Sequence, residues 1–300
     1  MLGYYILNAL AWPLGKLPLG FHRAAGKVIG AVVGKVFRYR RDVVMTNLSR
    51  SFPDRKYDEL QKLSSLAYAR FATVFCEALW LRGSSIDRIR KSHIVEVENV
   101  EELNRVYDTF PGVMLLLGHT GNWEILGAIK SYCYGDEGLH CPENDLCIAY
   151  LRLSNPSWDR FIYTSRLSPV ADKEHFDGIV ESRNVIRYAI RHRDARKIYF
   201  FITDQSPYTA SAGIPVSDFM HQRTVSMNGG PALARSLGFP VMYLSMRVKE
   251  DGNYVIRFIP VCDNASEMTD RQILDKYYGL LRDDLEAQPW NYLWTHKRWK

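Results

Sequence analysis

The stretch Gly112–Gly127, GVMLLLGHTGNWEILG, decides how this chain folds. The apolar run Val113 to Leu117 reads as a buried strand, Gly118-His119 breaks it, and apolar periodicity from Trp123 onward predicts a helix. His119 and Glu124 then lie on opposite sides of one tight strand-to-helix turn, with four residues between them. Histidine titrates near neutral pH, and a carboxylate within reach fixes its tautomer and makes it a better base. The turn also aims the backbone N–H groups of Thr120, Gly121 and Asn122 at one spot, which suits a developing negative charge. A histidine at a strand end is often no more than a hydrogen-bonded residue. Glycines on both sides and the strand's carboxyl end, where open α/β sheets bind ligands, favour the catalytic reading.

Working outward, further strands are expected at Leu146–Tyr150, Ile198–Thr203, Val241–Met246 and Tyr254–Ile259. A long helix is expected over Tyr57–Trp80, with Leu60, Leu63, Leu66, Ala67, Phe71, Val74, Phe75 and Ala78 on one face. Helical segments fall between most of the strands. The expected fold is therefore α/β, a mostly parallel central sheet flanked by helices. Three hundred residues, 47% of them hydrophobic, can bury one large core. No linker, repeat or low-complexity tract divides them. We expect an N-terminal membrane-anchoring segment over 1–41 and one catalytic domain over 42–300.

The N-terminal expectation comes from charge and spacing. Only Lys16 interrupts the apolar character of Met1–Phe21, yet Pro13 and Pro18 fall inside it, and a spanning helix needs roughly 20 apolar residues. No basic leader or cleavage site marks a removed signal peptide. In the second apolar stretch, Gly26–Phe37, residues Gly26, Gly30 and Gly34 form a small-residue stripe that permits close helix–helix approach in or beside lipid. The basic cluster Arg38-Tyr39-Arg40-Arg41 follows, as expected where a chain meets an anionic leaflet. Membrane attachment is favoured over a buried helical hairpin, with spanning and monotopic forms left open.

The net charge of +6 implies anionic partners. No nucleic-acid motif is present, so a membrane surface and an acidic protein are preferred to nucleic acid. Arg183, Arg187 and Arg191 recur every four residues, which makes one cationic stripe on a helix. It is either a solvated face or a docking site for an acidic carrier protein or lipid phosphates. The five cysteines, Cys76, Cys133, Cys141, Cys147 and Cys262, match neither a disulfide framework nor a zinc spacing. The strand Ile198–Thr203 ends at Asp204-Gln205, much as its counterpart ends at His119. If the two are neighbours, Asp204 faces the same crevice as Glu124, and Arg166 is placed to hold carboxylate or phosphate groups. An aspartate there is otherwise a turn former or a cap.

Several segments share a pattern beyond one motif. They are GHTGNWE at Gly118–Glu124, Arg40-Arg41, Asn47-Leu48, Ser51-Phe52-Pro53, and Tyr150 to Arg166. Ser182-Arg183-Asn184, Asp204-Gln205, Asp218-Phe219 and Leu293–Trp299 complete the series. In this order they resemble the late lipid A biosynthesis acyltransferases of the lysophospholipid acyltransferase-like superfamily, with its His-x4-Asp/Glu motif. The likeness spans nearly the whole chain. Thr203 stands where Pro is common, Met220-His221 where Phe-Gly is typical, and Tyr134–Asp145 looks like an insertion. The resemblance implies a membrane-associated O-acyltransferase on the cytoplasmic face of the inner membrane, with no metal and no organic cofactor. His119 and Glu124 would be catalytic, and Arg166, Asp204, Gln205, Arg183 and Asn122 would bind substrate. The donor would be acyl carrier protein or acyl-CoA, and the acceptor a hydroxyl of a lipid A precursor or related lipid. Another lipid acceptor, a thioesterase using water, and a non-enzymatic tethered binding protein are the alternatives.

Overall fold

The computed structural model describes residues 2–135, 138–207 and 213–299, so Asp136 and Glu137 of the insertion lie outside it. Its helices are α1 (Leu2–Gly15), α2 (Leu19–Ala31), α3 (Arg41–Ser51), α4 (Tyr57–Arg82), α5 (Ile86–Ser92) and α6 (Val100–Thr109). After these come α7 (Ile129–Tyr132), α8 (Pro156–Leu167), α9 (Val185–Arg191), α10 (Gly229–Leu237) and α11 (Asp270–Ala287). The strands are β1 (Val95–Val97), β2 (Gly112–Leu117), β3 (Leu146–Tyr150), β4 (Ile179–Glu181), β5 (Lys197–Ile202), β6 (Gly213–Phe219), β7 (Gln222–Met227), β8 (Val241–Val248) and β9 (Tyr254–Cys262).

Seven strands form one sheet in the order β1-β9-β8-β2-β5-β3-β4. Every neighbouring pair is parallel except the antiparallel β8–β9. The alternation of side chains explains why β2 is apolar at every position. Val113, Leu115 and Leu117 enter the core on one face, and Met114 and Leu116 enter a second core on the other. Burying each such side chain contributes roughly 1.5–3 kcal/mol. In β5, Ile198 and Phe200 join the first core and Tyr199 the second.

At the amino end, α2 lies against α4 through the glycine stripe. A Cβ on Gly30 would fall 2.5 Å from the Tyr68 carbonyl oxygen, and one on Gly26 would meet Thr73. The close approach expected in or beside lipid is thus made to α4 of the same chain. Lys16 Nζ donates to the Gly83 carbonyl (3.0 Å), and Arg88 Nη1 donates to that of Gly15 (2.9 Å). The outer faces stay apolar and exposed: Leu2 (75%), Leu10 (63%), Trp12 (69%), Val36 (70%) and Phe37 (73%). Among the described residues no helix is long and apolar enough to cross a membrane.

Two of the departures noted in the sequence have local consequences. Thr203 donates its N–H to the Leu117 carbonyl (3.0 Å), extending the β2–β5 ladder by a bond that proline would lack. Met220 (φ 51°) and His221 (φ 61°) form the two-residue link of the β6–β7 hairpin, where both positions are left-handed and glycine is normally favoured. The five cysteines are free, and burial pushes the thiols of Cys133, Cys141 and Cys147 up to about 12.

Candidate active site

Strands β2 and β5 are paired in register, Leu117 opposite Ile202, so His119 and Asp204 each follow two residues beyond a paired position. They meet at the carboxyl ends of the strands, in the crevice where parallel sheets hold ligands. His119 Nδ1 lies 2.7 Å from Asp204 Oδ1, and the His119 backbone N–H donates to Asp204 Oδ2 (3.1 Å). Gln205 Nε2 lies 3.1 Å from His119 Nε2. These partners fix the tautomer by elimination: Nδ1 carries the proton to the carboxylate, and Nε2 accepts from the amide. The His119 side chain is 11% exposed and that of Asp204 2%.

Glu124 has other partners. Its two oxygens accept from Arg166 Nη2 (2.8 Å) and Nε (2.9 Å) in a bidentate pair, and Oε1 also accepts from Trp123 Nε1 (3.1 Å). Among the described contacts the carboxylate bonded to the His119 ring is that of Asp204. The expectation that Glu124 orients the imidazole directly is corrected accordingly. Glu124 is linked to His119 through Trp123, which donates to its carboxylate and stands edge-on to the imidazole with centroids 4.9 Å apart. The reason for the difference is geometric. The segment Trp123–Ala128 is a 3-10 turn rather than an α-helix, and Arg166 of α8 takes up the Glu124 carboxylate.

Electrostatics follow these contacts. Burial pushes the Glu124 carboxyl up, but the Arg166 charge, its hydrogen bonds and His119 outweigh this and hold it below the ordinary range. Burial acts likewise on Asp204, and His119 with the more distant Arg298 pulls it below its usual value. Both carboxylates are therefore ionised at neutral pH.

Most backbone donors of the turn are tied up in hydrogen bonds. Gly121, at φ 60°, donates its N–H to Asn291 Oδ1 (2.9 Å), and the Asn122 N–H points at Met246 Sδ (3.2 Å). These two N–H groups, expected to be free for an oxyanion, are thus occupied. Asn122 is fully buried. Its Oδ1 accepts from the Glu124 N–H (3.2 Å), and its Nδ2 donates to Glu77 Oε2 (2.8 Å). The expectation that Asn122 touches substrate is replaced by a capping role, because every polar atom of its side chain is spent inside the protein.

Further groups complete the surroundings, some of them in the segments Arg40-Arg41, Asn47-Leu48 and Leu293–Trp299 already noted in the sequence. The phenols of Tyr277 and Tyr278 donate to the Leu117 and Thr203 carbonyls, steadying both strand ends. The C-terminal segment wraps round from the far end of the chain. Asn47 Nδ2 donates to the carbonyls of Trp294 and His296 (2.9 Å each), and Arg40 Nη1 donates to that of Thr295 (3.1 Å). This seats His296 within the field of Asp204 and His119, and burial pushes its pKa down to about 4. Arg298 is buried, donating to the Val225 carbonyl and the Tyr278 phenol (2.8 Å each).

Arg183 is not brought to this crevice. It is exposed and follows β4, three strands from β2 in the sheet. Arg187 and Arg191 of α9 border a cavity of about 990 Å3 that is also lined by Tyr150, Asp159, Tyr163 and Asn184. Tyr163 precedes Arg166 by three residues, on the same face of α8, so the cavity lies on the side of α8 that carries the Arg166–Glu124 pair.

A family model described as bacterial lipid A biosynthesis acyltransferase matches residues 1–300 of the chain. A search of curated proteins found no match.

Proposed function

The chain belongs to the bacterial lipid A biosynthesis acyltransferase family, and from that premise we propose how its crevice moves an acyl group. It is an acyltransferase that acts on lipid substrates. In the proposed reaction His119 Nε2 takes the proton of an acceptor hydroxyl, displacing the Gln205 amide that occupies it at rest. The oxygen attacks the carbonyl carbon of an acyl thioester, forming the new C–O bond. The tetrahedral oxyanion collapses, the C–S bond breaks, and the leaving thiolate takes the proton back from the imidazolium. Asp204 holds the ring and stabilises its charged form, while Arg166, fixed by Glu124, and the Gln205 amide face the oxyanion. The observation that carries this reading is the 2.7 Å contact between His119 Nδ1 and a carboxylate nearly closed to solvent.

The donor in this reading is an acyl carrier protein, and α9 is its dock. Arg183, Arg187 and Arg191 flank Ile186 and Ile190, which stay 61% and 58% exposed, a mixed basic and apolar ridge suited to a small acidic partner. The acceptor is a lipid A precursor reached from the cytoplasmic face of the inner membrane. Residues 1–41 hold the protein there by their exposed apolar side chains and the cluster Arg38, Arg40, Arg41. Purified protein with lipid acceptor and acylated carrier protein, or acyl-CoA in its place, tests the whole reading by the mass of the product. The expected result is one acyl chain gained per acceptor, faster from the carrier. Thiol release at the same rate without acceptor would identify a thioesterase instead.

A further inference from the structure

Glu77 lies near the C-terminal end of the long helix α4, with its carboxylate fully closed to solvent. Nothing in the proposed reaction uses it. Oε1 accepts from Arg23 Nε of α2 (2.9 Å). Oε2 accepts from Arg70 Nη2 (3.2 Å), from the Tyr254 phenol and from Asn122 Nδ2 (2.8 Å). Arg23 also reaches the Asn253 side chain (2.8 Å) and the Asp251 carbonyl (3.3 Å) in the link between β8 and β9. One buried carboxylate thus joins an N-terminal helix, the sheet and the turn that carries the candidate active site.

Stability alone does not account for a charge in this place. A buried ion cluster recovers little more than its desolvation cost, and packed apolar side chains commonly serve as well. What an apolar residue cannot supply is a strong acceptor for Asn122. That amide has one other acceptor, the Val74 carbonyl at 3.4 Å, and Asn122 Oδ1 is what holds the Glu124 N–H. The link therefore runs from Arg23 to Glu77, to Asn122, to the backbone of Glu124, and so to the Arg166 pair.

We propose that Glu77 is a positioning residue for the His119–Glu124 turn, and that through Arg23 the seating of the N-terminal helices sets the geometry of that turn. The helices that carry the exposed apolar face are then part of the catalytic apparatus in addition to any anchoring they provide. Loss of the link lowers turnover even where membrane recruitment plays no part.

The test uses the full-length protein in detergent micelles with acceptor and donor both present, so that recruitment to a bilayer is irrelevant. Arg23→Met should lower kcat roughly tenfold, since small displacements of reacting groups carry large rate costs. KM for both substrates should stay within about twofold, as expected if only the chemical step is disturbed. Hydrogen exchange should quicken in peptides covering 118–128 as well as in α2. Arg23→Lys should recover most of the rate. Asn122→Ala cuts the same link from the turn side. It should reproduce the loss of kcat while leaving exchange in α2 unchanged. Wild-type kcat in Asn122→Ala, or faster exchange confined to α2 in Arg23→Met, would overturn the proposal. The kcat measurement rests on the acyl-transfer reading. Exchange needs no substrate, so failure of that reading and failure of the link are distinguishable.

Discussion

The turn from Gly118 to Glu124 and the ridge on α9 both attract a functional reading, but they are built in opposite ways. In the turn, the backbone N–H groups of His119, Gly121, Asn122 and Glu124 are each held by a side chain. The acids that matter are buried. On α9, Arg187 and Arg191 form no ion pair among the described residues, and Ile186 and Ile190 face solvent between them. Chemistry needs atoms fixed to within a fraction of an ångström, whereas association with a charged partner needs only a field and an open surface. Substitutions in the turn should therefore act on kcat, and substitutions on α9 on KM and its salt dependence.

The largest expected effect is at the His119–Asp204 pair. His119→Ala should lower kcat by about 10²–10⁴-fold, the usual contribution of a general base. Its unfolding temperature should also fall, because the buried Asp204 carboxylate loses its ring partner, so kcat is compared at a temperature where both proteins are folded. Asp204→Asn should cost at least about 10²-fold, because an amide cannot stabilise the imidazolium and no longer dictates which nitrogen is protonated. If Asp204→Asn kept near wild-type kcat while Glu124→Gln lost it, the orienting role would return to Glu124.

Gly121→Ala tests how rigid the turn is. Its φ is 60° and an added Cβ would run into the Met246 side chain. The variant should lose about 1–3 kcal/mol of stability in chemical denaturation and lower kcat with it. An alanine variant as stable and active as the wild type would mean that the turn is looser than its bonds imply.

On α9, the double change Arg187→Glu and Arg191→Glu should raise KM for acylated carrier protein several-fold at low salt, with kcat unchanged. Steering of this sort acts over about 10 Å at 0.1 M salt, so the difference should fade as ionic strength rises. A fall in kcat with unchanged KM would move α9 from docking into the chemistry. Arg183 is left out of the pair so that the test reads α9 alone.

The smallest effect is expected from His296. In the unfolded chain its ring gains a proton as pH falls through about 6.5, whereas in the folded protein it does so only near 4. The unfolded state thus binds more protons between these values, and the folded state loses stability as pH drops across that window. His296→Gln should remove this loss, so its unfolding temperature should fall less than that of the wild type between pH 7 and pH 4.5. An identical fall in both proteins would show that the ring is not held neutral beside the crevice.

Much of the frame could be read from the chain by itself. Each strand foreseen from an apolar run is present, with ends shifted by a residue or a few, because a strand buried on both faces leaves a continuous hydrophobic signature. Periodicity marked the extent of α4, though Leu66 and Phe75 of its expected face stay exposed. Residue type and position at a strand end marked His119 and Glu124, whereas Asp204 and Gln205 were tied to function through the family resemblance. Which carboxylate holds the imidazole was beyond that reading. Asp204 is 85 residues from His119, and only the β2–β5 register sets them opposite one another. Spacing along one segment favoured Glu124, but a 3-10 turn and the approach of α8 gave that side chain to Arg166. The resemblance made Asn122 a substrate-binding residue. Packing against α4 closed it and coupled it to Glu77, 45 residues earlier. Local pattern reports what each segment buries. Pairing between distant polar groups depends on sheet order and helix packing, which no single stretch of sequence contains.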